Sequence, residues 1–276
     1  HQGCFNRSLF NFTGLPESSF GSCGFKSMGD LNMLKGGILN ATKITTVSPT
    51  YAKEIQTSDK GHGLDALLRS RAADLKGVLN GVDLEEWDPM KDSCIPEPFS
   101  AQNMAGKKAA KLALQKAYGL KIDPVVPLFT VVSRFAGQKG LDLIISLGDR
   151  LMTDMYVQIA VLGSGDPLLE EGFESLNDRY PQRFGSYIGF KNELAHLTIA
   201  GGDCFLMPSR YEPCGLAQMY AMIYGSVPIV RATGGLIDTV LPYNVSLREG
   251  TGFVFDDLTP DALYCAICEA CTMYNE

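Results

Sequence analysis

The sequence predicts an α/β protein built on a doubly wound parallel sheet, and two observations support this fold class. From residue 125 onward, short apolar runs alternate with longer amphipathic segments, as strands alternate with helices in such folds. The runs are apolar throughout, which is typical of strands that helices cover on both faces. Because ligands in these folds bind at the carboxyl ends of strands, the loops that follow the strands are the candidate site.

The first part of the chain is less regular, and residues 88–105, rich in Pro, Asp and Ser, predict an irregular connection. We place a domain boundary near Asn80, so residues 1–80 and 81–276 are expected to form separate domains. The predicted elements are a strand at 41–48, a helix at 49–56 with Pro49 in its first turn, a strand that begins at 77 and ends in a sharp turn at Asn80-Gly81, and a helix at 105–119 that contains Lys111.

Residues 125–276 contain a regular series of predicted elements, as a complete doubly wound domain requires. The predicted strands are 125–132, 155–163, 184–190, 204–209, 227–232 and 252–255. The predicted helices are 140–152, 167–180, 192–202, 216–225, 235–241 and a last one that begins near Thr259-Pro260-Asp261.

Size and charge argue against two classes of partner. The chain has 276 residues, a formal charge of −7 and a pI near 5.1, and it lacks the basic face that nucleic acid binding requires. No apolar run approaches the roughly eighteen residues of a membrane span. We therefore expect neither nucleic acid nor a membrane as a partner. Because the chain begins with His1 rather than methionine, we also expect it to be a piece of a longer protein.

The eight cysteines are scattered, which favours a reducing compartment over a disulfide framework. Cys265, Cys268 and Cys271 resemble part of an iron–sulfur motif in their spacing, but a fourth ligand is missing. They also fall at helical spacing among Ala, Leu and Ile, so we interpret them as small buried side chains on a helix. The sequence predicts no metal site.

Two cations follow the predicted strand at residues 125–132. Arg134 and Lys139 flank a flexible turn directly before a helix, so both can reach one anion. The alternative is that both are ordinary solvated loop cations. Two further glycine turns follow strands in the same way, one at Thr233, Gly234 and Gly235 and one at Gly163. These glycines would let backbone amides approach a phosphate closely, although each turn could equally be only a tight connection.

Glu212 and Cys214 lie in a fourth loop that follows a predicted strand, in the sequence SRYEPCGLAQMYA. A carboxylate beside phosphate-binding cations has sugar hydroxyls as its natural partners, which indicates a sugar nucleotide. The sequence contains no Asp-x-Asp pair to hold a bridging metal, so the cations would replace one. No histidine is placed to activate Cys214, and we therefore expect the amides of Cys214 and Gly215, rather than the thiol, to bind a ligand.

Several of these segments together resemble the bacterial glycogen synthases and the plant or algal starch synthases, in the same order and over nearly the whole chain. They are KITTVSPTYAKEI, GVLNGVD, VPLFTVVSRFAGQKGLDL, LGSGDP, LMPSRYEPCGLAQMYAMIYGSVPIVRATGGLIDTV and GTGFVF. The resemblance implies the GT-B glycosyltransferase fold, in which two Rossmann-like domains face each other. It also implies transfer of glucose from ADP-glucose to the nonreducing end of an α-1,4-glucan with retention of configuration, without a cofactor.

The resemblance implies roles for the residues that match the family motifs. Arg134 and Lys139 would hold the diphosphate, and Glu212 would bind glucose hydroxyls with help from the amides of Cys214 and Gly215. The remaining nucleotide-sugar contacts implied are Asn80, Gly163, Phe190 near the adenine, Thr233, Gly234 and Gly235. ADP would leave on the face that the acceptor attacks, so its phosphate can help to remove the acceptor's proton and no second carboxylate is required.

The sequence departs from the family at both ends. The upstream Lys-x-Gly-Gly-Leu donor loop and the final helix that returns to the first domain are absent, so the resemblance covers the C-terminal part of an acceptor-side domain, 1–80, and most of the nucleotide-sugar domain, 81–276. We therefore expect the chain alone to bind ADP weakly and to be inactive.

The segments HQG, LMPSR and RATGGL favour the plant and algal enzymes. They therefore favour the plastid stroma or starch granule as the location, with the bacterial cytoplasm as the alternative. A noncatalytic glucan- or nucleotide-binding module and a GT-B transferase that uses UDP-glucose remain open.

Overall fold

The computed structural model describes residues 2–21 and 24–276, so His1, Ser22 and Cys23 lie outside the described residues. It divides the chain into two compact units, His1–Leu79 and Asn80–Glu276. The elements of the first unit are β1 (Cys4–Phe5), β2 (Lys26–Ser27), β3 (Asp30–Asn32), α1 (Met33–Asn40), β4 (Ile44–Thr46), α2 (Pro49–Glu54), α3 (Asp65–Ser70) and β5 (Leu75–Gly77).

The first unit contains two small sheets. Strands β1, β3 and β2 pair antiparallel in that order, and β4 pairs parallel with β5. Helix α2 begins where the sequence predicts, because the Ser48 side chain accepts a hydrogen bond from the amide of Tyr51 and Pro49 occupies the first turn. Each of two hydrophobic clusters in this unit is small: Phe10, Phe20 and Leu31 form one, and Ile38, Leu64 and Leu68 form the other.

The predicted strand beginning at residue 77 is wrong in its position. Strand β5 occupies Leu75–Gly77 and therefore ends where the prediction begins. The amide of Val78 still donates to the carbonyl of Thr46, but β4 ends at that residue and the ladder has no further partner. Val78 and Leu79, whose apolar character suggested the strand, are exposed.

The second unit contains every strand and helix that its sequence predicts, with ends that differ by a few residues. Its elements are α4 (Ala105–Ala117), β6 (Leu128–Val132), α5 (Leu141–Asp154), β7 (Gln158–Gly163), α6 (Pro167–Arg179), β8 (Phe184–Ile188), α7 (Asn192–Gly201), β9 (Cys204–Met207), α8 (Ala217–Ile223), β10 (Val227–Arg231), α9 (Gly235–Thr239), β11 (Phe253–Phe255) and α10 (Pro260–Asn275). The strands pair parallel in the order β11-β10-β9-β6-β7-β8, which confirms the doubly wound α/β fold.

Helices cover both faces of this sheet. Helices α5, α6 and α10 bury one face, where Leu151, Phe173 and Leu263 are fully buried. Helices α4, α7 and α8 contribute to the core on the other face, which includes Phe205 and Tyr224. Because neighbouring residues of a strand point to opposite faces, Phe205 and Leu206 of β9 belong to different clusters. Both faces are therefore covered, and the loops at the ends of the strands are left to bind a ligand.

The order of the strands determines where the candidate site lies in the sheet. The chain runs from β6 to β7 on one side of β6, whereas β9 pairs with the other side of β6. The loops that follow β6 and β9 therefore leave the carboxyl edge on either side of a topological switch point. Ligands of open α/β sheets bind at such a crevice.

The cysteine-bearing helix α10 begins as predicted, since the Thr259 side chain caps it and Pro260 is its first residue. The expectation that its three cysteines are buried is wrong for Cys265, which is exposed, while Cys268 and Cys271 are partly buried. In the part of the chain that the structure describes, no helix is both long and apolar enough to cross a membrane.

Candidate active site

The loops after β6 and β9 are in direct contact. The backbone amide of Arg210 donates to the carbonyl of Gln138 at 2.8 Å, and the Gln138 side chain donates to the carbonyl of Tyr211 at 3.1 Å. Gly140 makes this approach possible: its φ is +64°, and a Cβ there would lie 1.9 Å from the carbonyl oxygen of Pro208. The two loops thus form one connected surface.

Lys139 and Glu212 meet at the centre of this surface. The Lys139 ammonium lies 2.6 Å from Oε2 of Glu212, and the Ser209 hydroxyl donates to the same oxygen at 3.2 Å. Glu212 is buried and Lys139 is mostly buried. Each charge therefore offsets part of the desolvation cost of the other. The sequence predicted both residues at the site but not their ion pair.

Arg134 lies in the same loop as Lys139 but is exposed, and its guanidinium makes no ion pair with the residues that the structure describes. Arg134 is therefore an exposed cation at the rim of the site, beside a lysine that already has a partner. An anion with several oxygens could contact both cations, with the guanidinium offering two parallel donors.

The loop after β10 packs against the Glu212 loop. The amide of Gly235 donates to the carbonyl of Glu212 at 3.0 Å, and a Cβ on Gly235 would lie 2.3 Å from Cα of Cys214. Thr233 and Cys214 are buried, and Gly215 has a φ of +75°. The buried thiol of Cys214 agrees with a positional role, because a nucleophile must be accessible.

The remaining predicted residues differ in their placement. Gly163 ends β7, and its carbonyl accepts a hydrogen bond from the amide of Gly189 at 2.8 Å. The next residue after Gly189 is Phe190, which is 75% exposed at the same end of the strands. Asn80 is exposed at the start of the second unit, and none of its described contacts joins it to the strand-end loops.

The structure adds two arginines that sequence reasoning missed. Arg210 makes two parallel hydrogen bonds to the carboxylate of Asp142, at 2.6 and 2.7 Å, and a third to the carbonyl of Gly137 at 2.8 Å. These bonds hold the pKa of Asp142 below its usual value and raise that of Arg210. Arg231, at the end of β10, donates to the carbonyls of Ser209 and Arg210.

One group of side chains in the described residues could hold a metal ion: Asp92, Cys94 and His196. Hydrogen bonds account for its arrangement, since the Asp92 carboxylate accepts from His196 Nδ1 at 2.8 Å, from the Tyr224 hydroxyl at 2.6 Å and from the Cys94 amide at 2.8 Å. Asp92 thus joins the irregular connection to α7 and to the residue that follows α8. The absence of a catalytic metal stays a prediction.

Comparison with known proteins identifies the relatives of this chain. Residues 119–274 match the family model "Glycosyl transferases group 1", and residues 1–70 match "Starch synthase catalytic domain". A glycogen synthase of Thioalkalivibrio sulfidiphilus is 46% identical over 279 residues, covering 100% of this chain and 58% of that protein. A glycogen synthase of an Anaeromyxobacter species is 48% identical over 277 residues, with the same two coverages.

Among solved structures, the catalytic domain of starch synthase IV from Arabidopsis thaliana, bound to ADP and acarbose, superimposes with a TM-score of 0.92. It is 32% identical, and the match covers 100% of this chain and 58% of that one. The chain therefore spans somewhat more than half the length of the relatives it matches. The predicted GT-B fold is confirmed by this likeness.

Proposed function

Because the chain belongs to the group 1 glycosyl transferases and, within them, to the starch and glycogen synthase family, we propose that it contributes the nucleotide-sugar-binding part of an ADP-glucose-dependent glucan synthase. The reaction is transfer of glucose from ADP-glucose to the nonreducing end of an α-1,4-glucan with retention of configuration. The observation that carries this proposal is the Lys139–Glu212 pair at the switch point of the sheet, with Arg134 exposed in the Lys139 loop.

Each charged group has a task in binding the donor. Arg134 and Lys139 contact the diphosphate, where cations stabilise the charge that develops as ADP departs. Glu212 accepts hydrogen bonds from glucose hydroxyls, and its contact with Lys139 places the sugar next to the phosphate that it leaves. The Lys139–Glu212 distance of 2.6 Å supports this arrangement, since the diphosphate and the glucose of one donor are adjacent.

Backbone groups complete the donor site. The turn at Thr233, Gly234 and Gly235 lies against the phosphate, with the Gly235 amide bonded to the carbonyl of Glu212, and the amides of Cys214 and Gly215 bind sugar hydroxyls. Gly163 allows close approach of the nucleotide, and the exposed ring of Phe190 stacks on the adenine. Asn80 is assigned to the sugar by resemblance only.

The transfer exchanges one bond at the anomeric carbon of glucose for another. The bond from that carbon to the β-phosphate oxygen breaks, and a bond to the acceptor hydroxyl oxygen forms on the same face. The acceptor's proton passes to the departing phosphate, so no base from the protein is needed. Arg134 and Lys139 lower the barrier by stabilising the negative charge of ADP, and the scheme requires no metal.

The location of the protein is part of the proposal. The matched curated relatives are bacterial, which fits the bacterial cytoplasm. The sequence motifs favour a plastid, and that location stays a prediction. Glycogen, amylose and amylopectin are all products of the same chemistry.

Nucleotide binding by the 276-residue chain tests the donor assignment. Titration calorimetry should show that ADP binds more tightly than UDP, and Lys139→Ala should weaken ADP binding about tenfold because a charge-assisted contact is lost. The exposed Lys116 of α4 provides the control, since Lys116→Ala removes the same charge away from the strand-end loops. A preference for UDP would favour the UDP-glucose alternative, and equal affinities for the wild type and Lys139→Ala would contradict the proposed site.

Transfer is tested by following radiolabelled glucose from ADP-glucose into glycogen, in a protein that joins this chain to the segments its relatives carry. Label in the polymer that an α-1,4-specific hydrolase releases supports the reaction. Binding of ADP and glucan without transfer would favour the noncatalytic module.

A further inference from the structure

Arg210 lies two residues before Glu212 and directs its donors into the Lys139 loop. Its guanidinium contacts the Asp142 carboxylate through two hydrogen bonds and the Gly137 carbonyl through a third, while its backbone amide donates to Gln138. Gly137 and Gln138 directly precede Lys139, and Asp142 lies in the first turn of the helix that follows it. The side chain thus spans the loop on both sides of Lys139.

Arg231 contacts the backbone of Arg210, whereas Asp142 contacts its side chain. The Arg231 guanidinium donates to the carbonyl of Ser209 at 2.7 Å and to the carbonyl of Arg210. The backbone of Arg210 is therefore fixed by β10 while its side chain is fixed by α5. With both ends held, Glu212 has little freedom to move relative to Lys139.

Stability alone does not explain this arrangement. The side chains of Arg210 and Asp142 are 36% and 47% exposed, and ion pairs of such exposure contribute little to the folded state. The contacts instead constrain geometry, because a planar guanidinium on a carboxylate fixes distance and orientation together. What they fix is the relative position of the two loops that carry Lys139 and Glu212.

We propose that Arg210, paired with Asp142, is a positioning residue that sets the contact between Lys139 and Glu212. This inference rests on the proposed function for its consequence, which is the alignment of the diphosphate contact with the sugar contact. Arg210 itself touches neither ligand in this assignment. Its loss should leave both binding side chains present but misaligned.

Lysine reactivity tests the geometric part without any ligand. In the 276-residue chain, the rate at which acetic anhydride labels Lys139 relative to Lys116 is measured by mass spectrometry for wild type and Arg210→Met. With its contact to Glu212 loosened, Lys139 should react about threefold faster, at the low end of the coupling between groups in contact. Asp142→Asn, which removes the partner and keeps Arg210, should change the rate in the same direction.

Arg150 provides a matched control on the same helix. It makes an exposed ion pair with Asp261 at 2.7 Å, at the far end of α5 from the strand-end loops. Arg150→Met should shift the urea midpoint about as much as Arg210→Met and leave Lys139 reactivity unchanged. An unchanged Lys139 rate in both Arg210→Met and Asp142→Asn would overturn the positioning role, whatever the chain binds.

A double-mutant cycle with ADP tests the functional part. Arg210→Met should weaken ADP binding about fivefold in wild type, because displacing the loop that carries Lys139 costs more affinity than loosening the Lys139–Glu212 contact gains. In the Lys139→Ala background the loss should be less than about twofold, because Arg210 acts through Lys139. Arg210→Lys, which keeps the charge without the planar fork, should fall between. Losses that simply add would show that Arg210 acts independently and would overturn the proposal. Failure of the wild type to bind ADP, with the reactivity contrast intact, would instead contradict only the proposed function.

Discussion

A ligand that enters the site must compete with the contact between Glu212 and Lys139. Their 2.6 Å contact occupies the ammonium that is expected to bind phosphate and the carboxylate that is expected to bind sugar. In the proposed donor site, a bare nucleotide would use only the first of these groups, whereas a nucleotide sugar would use both. On that proposal, the pair would discriminate the donor from ADP.

Replacing Glu212 with Gln separates these two uses. Lys139 loses its charged partner and becomes free for phosphate, so the affinity for ADP should rise about threefold. The affinity of ADP-glucose relative to ADP should fall, because a neutral amide accepts weaker hydrogen bonds from glucose hydroxyls. Both affinities are measured by calorimetry. Glu193→Gln removes a charge from the exposed first turn of α7 at the same edge and controls for general electrostatics; an equal rise there would contradict a specific release of Lys139.

Lys107 is a buried cation outside the site. It donates to the carbonyl of Gly202 and to the hydroxyl of Ser226, and burial lowers its pKa to about 7. In the unfolded chain the pKa returns to 10.5, so between these values the unfolded state binds more protons than the folded state. The contribution of Lys107 to the free energy of unfolding should therefore rise with pH from about 7 to 10 and be constant below about pH 7.

Lys107→Met tests this sign. The Ser226 hydroxyl still donates to the carbonyls of Ile199 and Gly202, so the substitution leaves no buried donor there unpaired. The wild type should gain up to about 1 kcal/mol per pH unit relative to the variant between pH 7 and 9, measured by urea unfolding. Parallel pH profiles for the two proteins would mean that Lys107 does not titrate in this range.

At the scale of elements, Gly140 is the junction between the β6 loop and α5. Its positive φ and its contact with Pro208 both exclude a side chain. Gly140→Ala should destabilise the fold by about 1–3 kcal/mol and separate the two loops. Gly137, three residues earlier, has open space around its Cα and provides the control, because Gly137→Ala should cost less than about 0.5 kcal/mol. Urea unfolding and ADP titration measure both effects, and equal costs at the two positions would contradict the close-approach argument.

The irregular connection before α4 is fixed by aromatic and polar contacts instead of regular structure. The ring of Trp87 stacks on His196 at 3.9 Å and on Tyr220 at 4.0 Å, and Asp92 accepts from His196 and Tyr224. Burial opposes the ionisation of Asp92, but these hydrogen bonds outweigh it and lower its pKa. A lowered pKa stabilises the fold above pH 3.8, and that contribution is lost as the pH falls through the folded-state value.

Asp92→Asn should therefore destabilise the protein near neutral pH by about 1–3 kcal/mol, with the difference from wild type shrinking below pH 4. Trp87 is the only tryptophan, so its emission reports directly on this connection. The variant should show a red-shifted emission maximum and stronger acrylamide quenching. Asp88→Asn keeps a side-chain oxygen that accepts from the Met90 amide, and it should leave the emission unchanged. An unchanged emission in Asp92→Asn would show that Asp92 does not hold the connection.

Local sequence signals predicted elements where the cause of the element is local. Thr259 with Pro260 starts α10, and Ser48 with Pro49 starts α2, because a cap and a fixed φ act within a few residues. Strand β5 was misplaced because a ladder ends where its partner ends, and no residue of β5 encodes the length of β4.

Site residues divide in the same way. Arg134, Lys139 and Glu212 were predicted because charged groups in loops after buried strands are unusual in themselves. The partners Arg210 and Asp142 were missed, since an acidic residue in the first turn of a helix already has a local explanation in the helix dipole. Contacts between loops that are distant in the chain leave no periodic pattern in the sequence, so the Arg210–Asp142 pair required the structure.

At the scale of the whole molecule, strand order brings the site together. Strands β6 and β9 are neighbours in the sheet although β7 and β8 separate them in the chain, so the Lys139 and Glu212 loops meet. The alternation of strands and helices predicts a parallel sheet but not this order. The structure supplies the order.

The second unit should fold and bind ADP without the first. Its sheet carries three hydrophobic clusters, and every strand-end loop of the proposed donor site lies within it, whereas each of the two clusters of the first unit has three buried residues. A chain of residues 80–276 should unfold in one cooperative urea transition and bind ADP within about threefold of the 276-residue chain. Lys139→Ala in the shorter chain controls for nonspecific binding. A noncooperative transition, or an affinity more than about tenfold lower, would mean that the first unit is required to form the site.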